Sequence, residues 1–433
     1  MIKKILIGCL LSISSGVFGQ RTSSSPYSFF GIGEEFSSRT IEQSSMGGIG
    51  VAFSSSQYIN FTNPAAFSDL KFTTYTFGIL SKDLTVKTSD ISQTVNSTSI
   101  SYFALAFPIG KKAGFSFGMQ PISSVGYSLS NTILDSDNVP TEISIFSGNG
   151  GINRLYGSFG IKVYKGLSLG IEADFSFGRV ENSLTNQIAE VALATRYKES
   201  SDIRGGNIKL GAQYTKELKN NLIINFGSTY SFGNELNVEG SERLYTLSVS
   251  GTGAEIIRDE ADLEDISGRY NLPVQTIFGF GIGKINKWHA SFEYENQEAI
   301  NVTGFLNRTV NTFKYDNSNR FSIGGFFTPK PTSISSYFDR VTYRAGLRFE
   351  TTGLLIDSSG TGSNFSKVDD FGISFGLGLP LGRKLSNLNL GFEFGKKGTT
   401  SNNLIQENYF NVRLGLSLIA AGRQAWFQKR RID

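Results

Sequence analysis

From Arg154 onward, apolar and polar residues alternate. Leu155, Phe159, Ile161 and Val163 carry the apolar phase, with Arg154, Tyr156, Ser158 and Lys162 between them. Successive side chains of an extended strand point to opposite faces, so a period of two predicts a β-strand with one greasy and one wet face. The next segment sets Leu167, Leu169, Ile171, Ala173, Phe175 and Phe177 against Ser168, Gly170, Glu172, Asp174, Ser176 and Gly178. The same period returns in Ile208, Leu210, Ala212 and Tyr214, in Trp288, Ala290, Phe292 and Tyr294, and in Val341, Tyr343, Ala345, Leu347 and Phe349. It returns again through 371–379, 388–394 and 410–418.

Two architectures satisfy such strands. A soluble sandwich turns its apolar faces toward each other, whereas a barrel in lipid turns them outward around a polar lumen. Segments of roughly ten residues at about 3.3 Å each suit a tilted crossing of the hydrocarbon layer and exceed common soluble strands. Strands are predicted near 71–81, 97–108, 112–130, 152–165, 167–181, 205–217, 221–236, 274–284, 288–298, 319–330, 339–354, 370–380, 387–396 and 408–419. That makes about 14, an even number as bacterial barrels require. Connections after even-numbered strands are mostly short and basic: Gly110-Lys111, Lys165-Gly166, Lys216 to Asn220, Lys284 to Lys287 and Gly382-Arg383-Lys384. Those after odd-numbered strands are long and rich in Ser, Thr, Asn, Asp and Gly, the longest from about 237 to 273. Short periplasmic turns and long outer loops are the asymmetry of outer-membrane barrels. The predicted fold is therefore all-β, a closed antiparallel transmembrane β-barrel of about 14 strands at 71–419. It sits in the outer membrane of a Gram-negative bacterium among its lipids, with both termini periplasmic.

The chain before the barrel divides in two. Met1-Ile2-Lys3-Lys4, the apolar run Ile5 to Leu11 and the small-residue end Val17-Phe18-Gly19 read as a signal peptide over 1–19. The sole cysteine, Cys9, leaves with it, so no disulfide is expected. Residues 20–70 are too apolar for a free tail, since Phe29, Phe30, Ile32, Phe36, Ile41, Met46, Ile49, Val51 and Phe53 need burial. Gly47, Gly48 and Gly50 allow close backbone approach, and Pro64 holds Asn63 extended just before Ala65. This predicts a plug in the lumen, for which a stabilising cap and a gate fit the residues equally. A basic tail, 420–433, ends the chain.

Composition adds the wet side of the picture. Only 39% of the residues are hydrophobic while 13% are aromatic, with 36 Phe and 49 Gly among 433 residues. Net charge is +4, which becomes +2 without Lys3 and Lys4, so no basic partner surface and no nucleic-acid binding is indicated. The alternation points Glu172, Asp174, Glu293, Glu295, Arg344, Arg348, Glu350, Glu393 and Arg413 inward, as salt-bridged lining that anchors the plug. Paired Glu293 and Glu295 also permit acid/base work, and the only histidine, His289, shares a face with Ser291. A lumen lining is the simpler reading of both, and no enzyme, cofactor or metal cage is expected. Gly279 to Lys284 lacks phosphate-loop spacing and reads as a strand. Asp259 to Asp265 reads as a solvated acidic loop, with divalent cations as the alternative occupant.

The run Met46-Gly47-Gly48-Ile49-Gly50-Val51-Ala52, followed by Asn63-Pro64-Ala65-Ala66, resembles the amino-terminal hatch signature of the FadL/TodX family of outer-membrane transporters of hydrophobic compounds. Ser25 to Gly33 and Trp426 to Arg431 resemble its Bacteroidetes-type version. The resemblance implies a 14-stranded barrel blocked by a hatch. It also implies passive uptake of a hydrophobic small molecule such as a long-chain fatty acid, released sideways past a kinked strand. Ser54-Ser55-Ser56 departs from the acidic residue many relatives carry there, and the basic tail departs from barrels that end on an aromatic. A related branch, PorV, implies the alternative: a barrel subunit or cargo shuttle of a protein secretion or surface-assembly system.

Overall fold

The computed structural model describes residues 25–250, 252, 254–263, 265–303, 312–382 and 386–420. The signal peptide, Arg383-Lys384 of one basic turn and the Trp426 to Arg431 ending lie outside the described residues.

A short inner strand, β1 (Glu34–Glu35), precedes the wall. The wall starts with β2 (Thr73–Lys87), β3 (Ser92–Ile109), β4 (Ala113–Leu134), β5 (Pro140–Tyr164), β6 (Leu167–Ile188) and β7 (Ala194–Glu217). The next crossing is split into β8 (Leu222–Ser231) and β9 (Asn234–Val249), and its return into β10 (Glu255–Asp262), β11 (Ile266–Leu272) and β12 (Gln275–Lys284). Then come β13 (Trp288–Gln297) with β14 (Asn301–Thr303), and β15 (Phe313–Tyr315) with β16 (Ser318–Phe327). Last are β17 (Thr342–Ile356), β18 (Ser366–Pro380), β19 (Asn387–Gly398) and β20 (Gln406–Ala420). Pairing is antiparallel throughout, and β2 pairs with β20 from Thr73↔Ala420 to Lys87↔Gln406. The sheet therefore closes as a barrel of 14 crossings.

Burial decides between lipid and water outside. Phe103, Leu155, Phe175, Phe278, Phe349 and Phe394 are each more than half exposed, while Ser116, Ser158, Glu172, Glu293, Ser322 and Asn389 are buried. A soluble protein does the reverse; a barrel with acyl chains outside and a filled lumen does this.

All 14 expected strands are found, with turn-side ends displaced by a few residues and loop-side ends by more. β5 begins at Pro140, not near 152, and β7 at Ala194, not near 205. The stretch 237–273, expected as the longest loop, is mostly sheet: β9 pairs with β7, β10 and β11. These residues escape the periodicity because both of their faces carry Ser, Thr, Asn and charge. β4 to β7 contain 22, 25, 22 and 24 residues. At about 3.3 Å per residue the longest strand spans roughly 80 Å along its axis, against a lipid-facing band of about 25 Å. β12, β13 and β16 contain 10 each. One side of the wall therefore rises well above the other.

Candidate functional site in the barrel lumen

The N-terminal segment runs the length of the lumen. Ser25 and Tyr27 lie at the loop end, where Tyr27 Oη donates to Ile405 O and Ser28 Oγ accepts from Gly126 N at 3.1 Å. The segment leaves at the turn end into β2, so Ser25 sits opposite Ala420, where both ends of the chain were expected on the turn side. A single helical turn, Ile41–Ser44, is fixed by a capping box between Thr40 and Gln43. Such a box satisfies N–H groups that a buried helix end would otherwise leave orphaned.

Inward glycines let this segment touch the wall. Gly324, Gly346 and Gly376 face Ser45 to Gly47; Gly227 and Gly279 face Val51; Gly160, Gly170 and Gly211 face Asn63 to Ala65. A β-carbon at Gly346 would lie 2.1 Å from Met46 C, and one at Gly227 2.0 Å from Val51 O. No side chain fits there, which accounts for small residues recurring on the wet face of so many strands. Gly47 and Gly48 adopt positive φ of 71° and 86°, a region that costs L-residues energy.

Polar groups hold the segment against this girdle. Glu293 accepts from Gly50 N at 2.8 Å and Val51 N at 2.7 Å through one oxygen, and from Arg39 at 2.8 Å through the other. Glu295 binds Arg39 as well, at 2.8 Å. Gly47 N donates to Ser374 Oγ at 2.8 Å. Asn63 caps the 3-10 turn that Pro64 begins: its Oδ1 accepts from Ala65 N at 3.0 Å, while Nδ2 donates to Val51 O at 2.7 Å and to Ala212 O at 3.0 Å.

The other inward charges form separate clusters. Glu172 binds Lys209 at 2.7 Å and Arg154 at 3.2 Å, with Asp174 at 3.5 Å from Arg154; Lys209 also donates to Phe61 O at 3.0 Å. Arg348 bridges Glu350 at 2.7 Å, Asp370 at 3.0 Å and Glu393 at 3.1 Å, and Arg413 meets Glu393 at 2.5 Å. Arg344 donates to Asn389 at 3.1 Å, and Asn389 donates to buried Glu42 at 2.8 Å. Among the described residues Arg320 meets no carboxylate; it donates to Ser37 Oγ at 3.0 Å. Lys209 and Arg320 occupy inward positions that the alternation exposes once applied to every strand. Arg39 and Glu42 lie on the aperiodic segment, where no such signal exists.

Above the girdle lies a cavity of about 420 Å³ whose lining includes Arg39, Arg154, Lys209, Glu295, Arg320, Glu350 and Glu393 beside Tyr27, Phe30 and Ile32. The wall next to it is incomplete. β3 and β4 pair only from Ile109↔Ala113 to Phe103↔Met119, although β4 continues beside β5 to Leu134. The split comes at Pro121, which has no N–H to offer, and at a bulge before Ser123. The foot of this gap is filled from inside by β1, which pairs Glu34↔Ser124 and Glu35↔Ser123, and Glu34 binds Lys82 at 2.6 Å.

The remaining candidates are absorbed by the wall. His289 packs against Phe53 and Phe326 with ring centroids at 5.2 and 6.1 Å, and Ser291 donates to Phe280 O at 2.8 Å. Gly279 to Lys284 is part of β12. The acidic run is not a loop: Asp259 to Asp262 lies in β10, with Glu260 paired to Arg243, while Glu264 is outside the described residues.

A closed antiparallel barrel, greasy outside, wet inside and filled by its own N-terminal chain, defines an outer-membrane protein with the fold of the FadL/TodX barrels. Within that class the chain belongs to the BamG family, whose model matches residues 1–433. No curated protein matches it in sequence. Among solved structures, the Ralstonia pickettii toluene transporter TbuX has a TM-score of 0.56 at 13% identity, over 89% of this chain and 98% of that one. A Pseudomonas aeruginosa FadL homologue gives 0.55 at 12%, over 88% and 98%. The Pseudomonas putida toluene transporter TodX gives 0.54 at 16%, also over 88% and 98%. At such identities the likeness shows the fold alone.

Proposed function

We propose that this barrel is a membrane-embedded docking subunit of a protein secretion or surface-assembly system, with residues 25–70 acting as a hatch that keeps its lumen shut. The observation that supports this best is the lumen itself. An apolar solute passing through would have to displace the segment from Glu293 and then cross a cavity in which ion pairs stand beside Tyr27, Phe30 and Ile32. Apolar matter gains nothing by leaving lipid for such a surface, and breaking a buried ion pair costs several kcal/mol. In this reading the short turns face the periplasm, and the tall side of the wall stands outside the cell as contact surface.

A second reading is passage of a hydrophobic small molecule, such as a fatty acid, sideways through the wall. The gap between β3 and β4 favours it, as does the fold shared with the toluene transporters TbuX and TodX.

Liposome assays separate the two. Native protein should leave both solute leakage and entry of a fluorescent long-chain fatty acid at the level of protein-free liposomes. Deleting residues 44–66 should raise leakage with the barrel still folded. Faster fatty-acid entry with the native chain would overturn the docking reading and establish the second.

A further inference from the structure

Among the described residues, two stretches of open sheet edge high in the wall differ in charge. β10 pairs only with β9 and reads Glu-Ile-Ile-Arg-Asp-Glu-Ala-Asp, dense in the charges that keep an edge from pairing with foreign strands. The other opening is the slot between β3 and β4. Above Phe103 and Met119, among the described residues, β3 pairs with β2 and β4 with β5, and within the slot β4 meets only β1, at Ser123 and Ser124. From Ser92 to Leu134 the sole charged residues are Lys111 and Lys112, in the turn at the opposite end. The slot edges consist of Ser, Thr, Asn, Gln and apolar residues, with Ile100, Ser128 and Ser130 exposed. Two facing, neutral, unguarded edges run against what sheet proteins ordinarily do.

The chain itself shows how the slot is used. β1 lies antiparallel on β4 at Ser123 and Ser124, Phe36 N donates to Ile122 O at 2.9 Å, and Gly126 N donates to Ser28 Oγ at 3.1 Å. Because N–H groups along a strand alternate sides, the slot-facing set continues from Gly126 through Ser128, Ser130 and Thr132. The N-terminal segment covers this edge only as far as Gly126.

We infer that the β4 edge from Ser128 to Thr132 receives an uncharged extended segment of a partner protein, which continues by β-augmentation the pairing that β1 begins. The partner is a protein strand, not a lipid, because this edge offers a ladder of backbone donors and acceptors spaced for a strand. Neutrality of both edges selects against a charged segment. The inference rests on the docking reading and names the surface that reading uses.

The test compares hydrogen exchange in the complex purified from membranes in mild detergent with that in the chain stripped of partners. Peptides covering 127–134 should exchange at least about tenfold more slowly in the complex, while those covering 255–262 stay the same. The double variant S128K/S130K should lose the fixed-ratio partner while the barrel keeps its heat-modifiable migration, and S128T/S130T should retain it. Equal exchange at 127–134 in both samples overturns the slot, as does protection produced by a second copy of the chain or by detergent alone. A fixed-ratio partner that leaves 127–134 open removes the slot but keeps the docking reading. A native preparation with no fixed-ratio partner removes both.

Discussion

The middle of the barrel and its tall outer wall are built from the same strands under different rules. At mid-barrel each strand separates lipid from a packed lumen, so outward Phe and Leu alternate with inward Gly, Ser and charge, and the N-terminal segment is clamped by many buried bonds. Higher up, β4 to β7 and β9 bury Val125, Ile152, Val180, Ile203, Leu236 and Val238 around Ile32 on one face and carry charged residues on the other. Their cross-strand pairs, Arg179–Asp202 and Arg204–Glu239, lie on the surface with more than 40% of each side chain exposed. The contrast teaches that mid-barrel is specified by lipid on one side and a packed lumen on the other, whereas the upper wall has one buried face and water on the other. It follows that the same kind of change should do very different damage in the two.

The strongest test removes the hub. Glu293→Ala leaves Arg39 and the amides of Gly50 and Val51 without their acceptor in a buried site, and should weaken seating of the segment by about 3–5 kcal/mol. Protease access to residues 41–66 in the folded barrel would report it; unchanged protection would show that the girdle suffices without the carboxylate. Next comes steric exclusion. Gly346→Val places methyl groups where Met46 and Gly47 backbone lies, costing about 1–3 kcal/mol, and should raise leakage in liposomes without unfolding the wall.

Asn63→Ala removes a cap together with bonds to Val51 and Ala212, an effect of about 1–2 kcal/mol, seen as faster exchange at Ala65 and Ala66. The smallest effect belongs to the upper wall. Lys198 binds Glu181 at 3.1 Å on the surface, so Lys198→Ala should cost about 0–1 kcal/mol, read as a nearly unchanged melting temperature. A large loss there would mean that the upper wall is packed against something in the sample, and the contrast would fail.

How much of this was legible follows the same division. Where Leu169, Ile171 and Phe175 face lipid opposite Ser168, Gly170 and Glu172, two solvents write a period of two into the chain, and the strands could be read to within a few residues. Asn237 to Val249 carries polar residues on both faces, so the same reading took it for loop. Glu172, Glu293 and Arg348 were found because alternation marks inward positions. Which of them pair was not legible, because which charges meet depends on strand registers set around the whole barrel. The strand expected over 112–130 carried no mark of losing a neighbour at Pro121; only the pairing pattern shows it.

The sequence alone determined the class of object: period-two strands, an even count, an apolar outside and a glycine-rich N-terminal stretch that needed burial. Each of these follows from local geometry and from solvent on either side of one strand. Only the tertiary structure decided that the segment threads the lumen from the loop end, that Glu293 anchors it, and that β3 and β4 part above Met119. Those facts join residues far apart in the chain, and they depend on how 14 crossings close on one another, which no local pattern records.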